Sequence, residues 1–258
     1  MNPVADFFFN IFPYICLASF ILGSLWRYRY DQMGWTSYST QLYESKILRW
    51  ASPMWHFGLL GVLLGHVGGL LIPESWTNAV GISESSYHLV SLILGGVFGI
   101  VMVIGLVGLL VRRLSVKSVR LASLRSDAIM YPVLIIVVVL GLINTLYFQT
   151  TIPGGYNYRE TVSEWFRSIF YLHPAAIDRI VGAEGVGPAP WSFQLHSIFA
   201  FLLIGIWPYT RLVHMFSVPV GYLTRPYVVY RSRKPELDAN GRDPRPGWDR
   251  PSLEKSRR

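Results

Sequence analysis

An all-α integral membrane protein with five transmembrane helices, its N-terminus outside and its C-terminus cytoplasmic, is the fold class this sequence predicts. Three observations predict it. The 258 residues are 52% hydrophobic and only 15% charged, with mean hydropathy +0.36, whereas soluble domains carry about 25% charged residues. Five apolar stretches are long enough for a hydrocarbon core that needs about 20 helical residues. The basic residues fall almost entirely on one side of those stretches.

The stretches run over about 7–26, 53–72, 88–111, 128–148 and 193–216. The first contains Asn10 and Pro13, the fourth carries Asn144 near its end, and the fifth is interrupted by Pro208. Aromatic residues such as Trp26, Trp50, Trp55, Tyr131 and Trp191 stand at span ends, where an apolar ring with a polar edge suits the interface. No Lys or Arg precedes the first apolar run, so that run is expected to be a retained span rather than a cleaved leader. With the N-terminus outside, 20 of the 23 Lys and Arg residues lie inside; Arg159, Arg167 and Arg179 are the outer exceptions. This asymmetry accounts for the net charge of +8 through topology and anionic lipid, and no nucleic-acid partner is expected. The one cysteine, Cys16, excludes an intrachain disulfide and a Cys-based metal site.

Residues 1–225 are expected to form the membrane domain and 226–258 a charged cytoplasmic tail. The tail is rich in Pro, Gly and charge, too poor in apolar surface for a core, and open to ordering by a partner protein. The longest connection, Thr150–Pro190, is outer. Within it Val162, Trp165, Phe166, Ile169 and Phe170 form a helical stripe. Such a helix lies on the outer membrane surface, or else packs on its own loop.

Six histidines are present: His56, His66, His88, His173, His196 and His214. Four of them sit in the second and fifth spans. Ionisable groups inside a membrane are costly, and two per span point to function. Antiparallel spans bring His66 level with His196 near the outer face and His56 level with His214 near the inner face. Two facing imidazoles at one depth suit the axial ligation of a b-type haem, so two haem b are expected. The spacings are unequal. Eighteen residues separate His196 from His214, five turns of a straight helix with both rings on one side; ten residues separate His56 from His66. Tilt or a kink at Pro208 has to absorb the difference. Gly65 beside His66 would allow a flat macrocycle to approach the backbone, while Gly95, Gly96 and Gly99 read as small-residue helix packing. Arg27, Arg29, Arg112 and Arg113, at inner span ends, are candidates for haem propionates, Arg29 and Arg112 first among them, since guanidinium suits carboxylate. No phosphate-binding glycine loop, zinc-binding HExxH or placeable Ser–His–Asp set occurs, and the pattern reads as an electron conduit.

The sequence resembles the gamma subunit of membrane-bound respiratory nitrate reductase, a di-haem cytochrome b. The resemblance rests on FFFNIFPYI, on His56 with Gly65–His66, on QLHS at Gln194–Ser197, and on WPYTRLVHMFSVPVGYLTRPY at Trp207–Tyr227. It covers about residues 5–230. It implies that His66 and His196 hold the outer haem and His56 and His214 the inner one. It also implies a quinol oxidised near the outer haem, with protons leaving outside. Electrons are then expected to pass inward to an iron–sulfur beta subunit and a molybdenum alpha subunit on the cytoplasmic side, where nitrate is reduced; no nitrate site lies on this chain. The setting implied is the multi-pass cell membrane of a bacterium or archaeon. One departure stands out. Some family members carry a basic residue before the third span, but no Lys or Arg occurs here between His66 and Arg112. Gly65, His66, Tyr87 and His88 are therefore the candidate quinol residues, with His88 as proton acceptor. Two rivals remain. One is a di-haem anchor of another quinol-linked reductase, such as one serving sulfur chemistry. The other is a histidine-relay transporter, which the lack of repeats and of acidic residues within the spans disfavours.

Overall fold

Glycines set how closely the helices of this bundle approach. The computed structural model describes residues 3–152, 155–172, 177–182, 187–217 and 224. Among them no strand occurs, and five helices are long and apolar enough to cross a membrane: Pro3–Tyr30, Leu48–Leu71, Glu84–Ser115, Asp127–Thr151 and Trp191–Tyr209, the first to fifth spans. Capping explains why the third span outruns its apolar centre. Ser83 accepts a hydrogen bond from the Ser86 amide, Glu84 occupies the first turn, and Arg112 and Arg113 the last, each charge matching the helix dipole.

Lipid supplies no hydrophobic drive between helices, so close van der Waals packing must. A Cβ on Gly58 would sit 2.5 Å from the Met102 amide nitrogen, and one on Gly105 would sit 2.3 Å from that of Trp55. The second and third spans therefore run antiparallel with their backbones almost touching. Gly95, Gly96 and Gly99 meet Thr145, Leu146 and Leu142, which seats the fourth span on the third. These three glycines are helix-packing residues, as expected. The fifth span packs on the fourth through Gly141 against the His196 ring and through a bond from Ser192 to Asn144. The first span lies along the fifth in the same direction: Gly205 meets Cys16, Gly23 meets Pro208 and Tyr209, and Ser19 donates to the Gly205 carbonyl. The lateral order is thus second, third, fourth, fifth, first. The second and fifth spans face each other through their histidines.

Two expectations are corrected. The fifth span is not a helix through residue 216. Its α-helix stops at Ile206 and is followed by 3-10 turns at Trp207–Tyr209 and Arg211–Ser217, with Thr210 extended between them. Pro208 cannot continue an α-helical ladder, so His214 does not sit five straight turns from His196. From His196 to Ile206 is ten residues, the same interval as from His56 to His66. The helix at Val162–Phe170 packs on more than its own loop. Its stripe turns into the bundle end, where Trp165 packs on Phe9 and Phe201 and donates from Nε1 to the Phe9 carbonyl. Burying an indole whose N–H finds a partner outweighs leaving it at an interface.

The tail expected at 226–258, its boundary at 225, and His173 lie outside the described residues.

Substituting Gly105→Val should overpack the contact with Trp55 and destabilise the bundle by about 1–3 kcal/mol. Unfolding in detergent would show this, with Gly105→Ala giving the smaller loss of the two.

Candidate functional site

The four span histidines meet in two pairs. The ring centres of His66 and His196 are 6.0 Å apart with planes inclined by 25°, and those of His56 and His214 are 6.2 Å apart, inclined by 78°. A metal–imidazole bond is about 2 Å long and the ring centre lies about 1 Å further on, so two imidazoles on opposite sides of one metal have centres about 6 Å apart. Both pairs meet that requirement.

The ring nitrogens are arranged for the same purpose. His56 Nδ1 lies 2.7 Å from the Ser52 carbonyl and His66 Nδ1 2.8 Å from that of Val62, each four residues earlier in its helix. His196 Nδ1 lies 3.0 Å from the Val137 carbonyl of the fourth span, and His214 Nδ1 lies 2.5 Å from that of Arg211. A carbonyl only accepts, so each Nδ1 carries the proton and donates it. Each Nε2 then keeps its lone pair, the tautomer a metal ligand needs. The described residues contain no cluster of three or more metal-ligating side chains, and the histidine geometry is two-by-two.

Gly65 differs from the packing glycines. A Cβ placed on it would meet nothing within 4 Å. It leaves an open flank beside His66. Gly61, one turn earlier, is filled by the Phe98 ring.

Near the bundle end that carries the long loop, a cavity of about 160 Å³ is lined by Glu84, Tyr87, His88, Ser91, Tyr156 and Tyr158, with Ser85 and Asn157 at its edge. Two hydroxyls link it to the His66 helix. Tyr87 Oη lies 3.7 Å from a Cβ on Gly68, and Tyr158 Oη 2.7 Å from one on Gly69. Burial, with Tyr87 beside it, pushes the Tyr158 phenol up from its usual range, so it stays a donor. The structure thus brings Gly65, His66, Tyr87 and His88 to one end of the second and third spans.

Sequence reasoning missed Arg159. Only 2% exposed, it donates to Glu84 and Thr77 at 2.9 Å each, and its guanidinium lies 3.9 Å over the Tyr87 ring. A cation from the long loop thus stands at the start of the third span, in a segment that carries no Lys or Arg of its own between His66 and Arg112. Its Nε has no hydrogen-bond partner, and neither does the buried Oε1 of Gln149, which closes with His88 on Gly155. The one available signal was that Arg159 breaks the charge asymmetry. The other two exceptions are also engaged: Arg167 donates to the Leu70 carbonyl and Arg179 pairs with Glu164.

At the arginine-rich end, Arg112 gives four hydrogen bonds to Thr40 and Glu44. Those bonds commit its guanidinium to the loop between the first two spans, and no contact joins it to the histidines. Arg29 is exposed in the last turn of the first span.

The two inclinations give a spectroscopic prediction. Were an iron held between each pair, near-perpendicular rings would leave its two d orbitals of π symmetry close in energy, whereas near-parallel rings would split them. Electron paramagnetic resonance of protein prepared with haem and oxidised should then give two low-spin signals, the more anisotropic one abolished by His56→Ala. Two identical signals would contradict the ring geometry.

Comparison with known proteins places the chain in a family. The family model described as nitrate reductase gamma subunit matches residues 5–233. The chain is 44% identical over 247 residues to the nitrate reductase-like protein NarX of Mycobacterium tuberculosis, covering 96% of this chain and 36% of that protein; it thus spans about a third of that relative's length. It is 42% identical to the nitrate reductase gamma chain of Bacillus subtilis, over 87% of this chain and 96% of that one. It is 36% identical to the respiratory nitrate reductase 2 gamma chain of Escherichia coli, over 88% and 97%. The chain is a multi-pass membrane protein and belongs to the nitrate reductase gamma subunit family.

Proposed function

We propose that the chain is the cytochrome b subunit of a quinol:nitrate oxidoreductase, oxidising quinol near the outer face and delivering electrons to cytoplasmic iron–sulfur and molybdenum subunits. The observation that carries this is the pair of facing imidazole couples about 6 Å apart, every Nδ1 committed to a carbonyl and every Nε2 left for metal. Two b haems bound there would supply one-electron carriers at two depths of the membrane. His66 and His196 would hold the outer one and His56 and His214 the inner one. The asymmetry of Lys and Arg supports an outside N-terminus and a cytoplasmic C-terminus.

The chain's own residues account for substrate handling. The tyrosine-lined cavity abuts Gly68 and Gly69, within one turn of His66, and a quinol head group binds there. Quinol gives up two electrons and two protons on becoming quinone. His88, half-buried in the cavity wall, is the imidazole placed to accept one of these protons. Glu84, whose side chain is 38% exposed, leads from the same wall to solvent. Arg159 fixes Tyr87 by stacking and Glu84 by ion pairing, and so shapes the cavity.

A reduced-minus-oxidised spectrum of protein purified from haem-replete membranes, with haem quantified per chain, tests the main proposal. Two b haems are expected, with His66→Ala and His56→Ala each removing one; a chain without haem would overturn it. Arg159→Lys keeps the charge but loses the fork and the stacking. It should raise the quinol KM about tenfold, the scale of a lost charge-assisted hydrogen bond, at unchanged haem content. An unaltered KM would confine Arg159 to a structural role.

A further inference from the structure

His214 differs from the other three histidines in what holds it. His56, His66 and His196 stand on α-helix, whereas His214 stands on the 3-10 segment Arg211–Ser217, where backbone hydrogen bonds are poorer. Two guanidinium groups replace the missing helical support. Arg27, from the first span, donates Nη1 to the carbonyls of Pro208 at 2.7 Å and Thr210 at 3.3 Å. Arg211 gives the His214 ring its acceptor through its own carbonyl, while its side chain binds Asp127 by Nε–Oδ1 at 2.7 Å and Nη2–Oδ2 at 2.5 Å. Its remaining nitrogen, Nη1, donates to the Ser37 carbonyl at 2.9 Å.

Asp127 is the fixed point of this assembly. It begins the fourth span, is 3% exposed, and also accepts from Arg113 Nη1 at 2.7 Å and from the Leu124 amide at 2.9 Å. Arg113 is itself seated over the Tyr131 ring and bonded to Ser123. A buried carboxylate taking four donors, two of them in a bidentate fork, is rigid. Its rigidity passes through Arg211 to the carbonyl that orients the imidazole.

We propose that Asp127 is a positioning residue for His214: through its bidentate hold on Arg211 it sets the placement and ring angle of this histidine opposite His56. The inference rests on the haem-ligand role of the four histidines. A ring on a loosened segment would turn, and the potential and spectrum of a haem held there would change with it.

The test uses the full chain in its complex, with Asp127→Asn and Arg211→Lys. The first removes the charge and weakens the fork; the second keeps the charge and removes the fork. Both should lose or shift the inner signal, in its electron paramagnetic resonance and its midpoint potential, while the signal of the His66–His196 pair stays as in the wild type. Asp127→Glu should restore part of the inner signal. Wild-type inner signals in both variants would overturn the proposal. So would loss of both signals together in both variants, which would mean that the cluster holds the whole bundle rather than His214. A wild-type chain without haem would sink the cytochrome reading itself, a different failure from unchanged variants of a di-haem wild type.

Discussion

A helix that ends within a bilayer leaves carbonyl groups without donors, and lipid offers none. The fifth span meets this constraint at Ile206, eight residues before His214. Its solution shapes that end of the molecule. Arg27 reaches from the first span to the carbonyls of Pro208 and Thr210, which fixes the first span against the fifth. Arg211 reaches to Asp127, which fixes the start of the fourth span against the same segment. The break also relieves the unequal spacing of the histidines, because only the interval from His196 to Ile206 is α-helical.

The glycines divide the labour along the second span. At Gly58 and Gly61 the missing side chain admits the third span. At Gly65 it admits no protein atom at all, and at Gly68 and Gly69 it admits the hydroxyl ends of Tyr87 and Tyr158. One repeated residue type thus changes from helix packing to an open flank to the wall of a cavity over about three turns. Span-to-span contact and open flank are separated by position rather than by residue type.

Much of this was legible in the sequence. The spans follow from the length of apolar runs, and the histidine pairs follow from depth in antiparallel helices. Both signals are local or depend only on topology. The residues that were not legible act across long sequence separations. Arg27 meets Pro208, Arg159 meets Glu84 and Thr77, and Asp127 meets Arg211. In composition such arginines are indistinguishable from topology markers. The Trp165 stripe was visible as a helix, but its amphipathicity could not say whether lipid or the ends of two spans would cover it. Pro208 announced a break but not the 3-10 path that follows.

The four imidazoles differ in where their acceptors come from. For His56, His66 and His214 the acceptor lies three or four residues back on the same chain segment. Their tautomers are fixed as soon as the local turn forms. His196 takes its acceptor from Val137 on another span. Its ring is committed only once the fourth and fifth spans have docked. The two pairs thus differ in what orients their rings: at the arginine-rich end both acceptors lie on local turns, one of which is itself held from other spans, whereas near the long loop one acceptor is borrowed directly across a helix–helix contact.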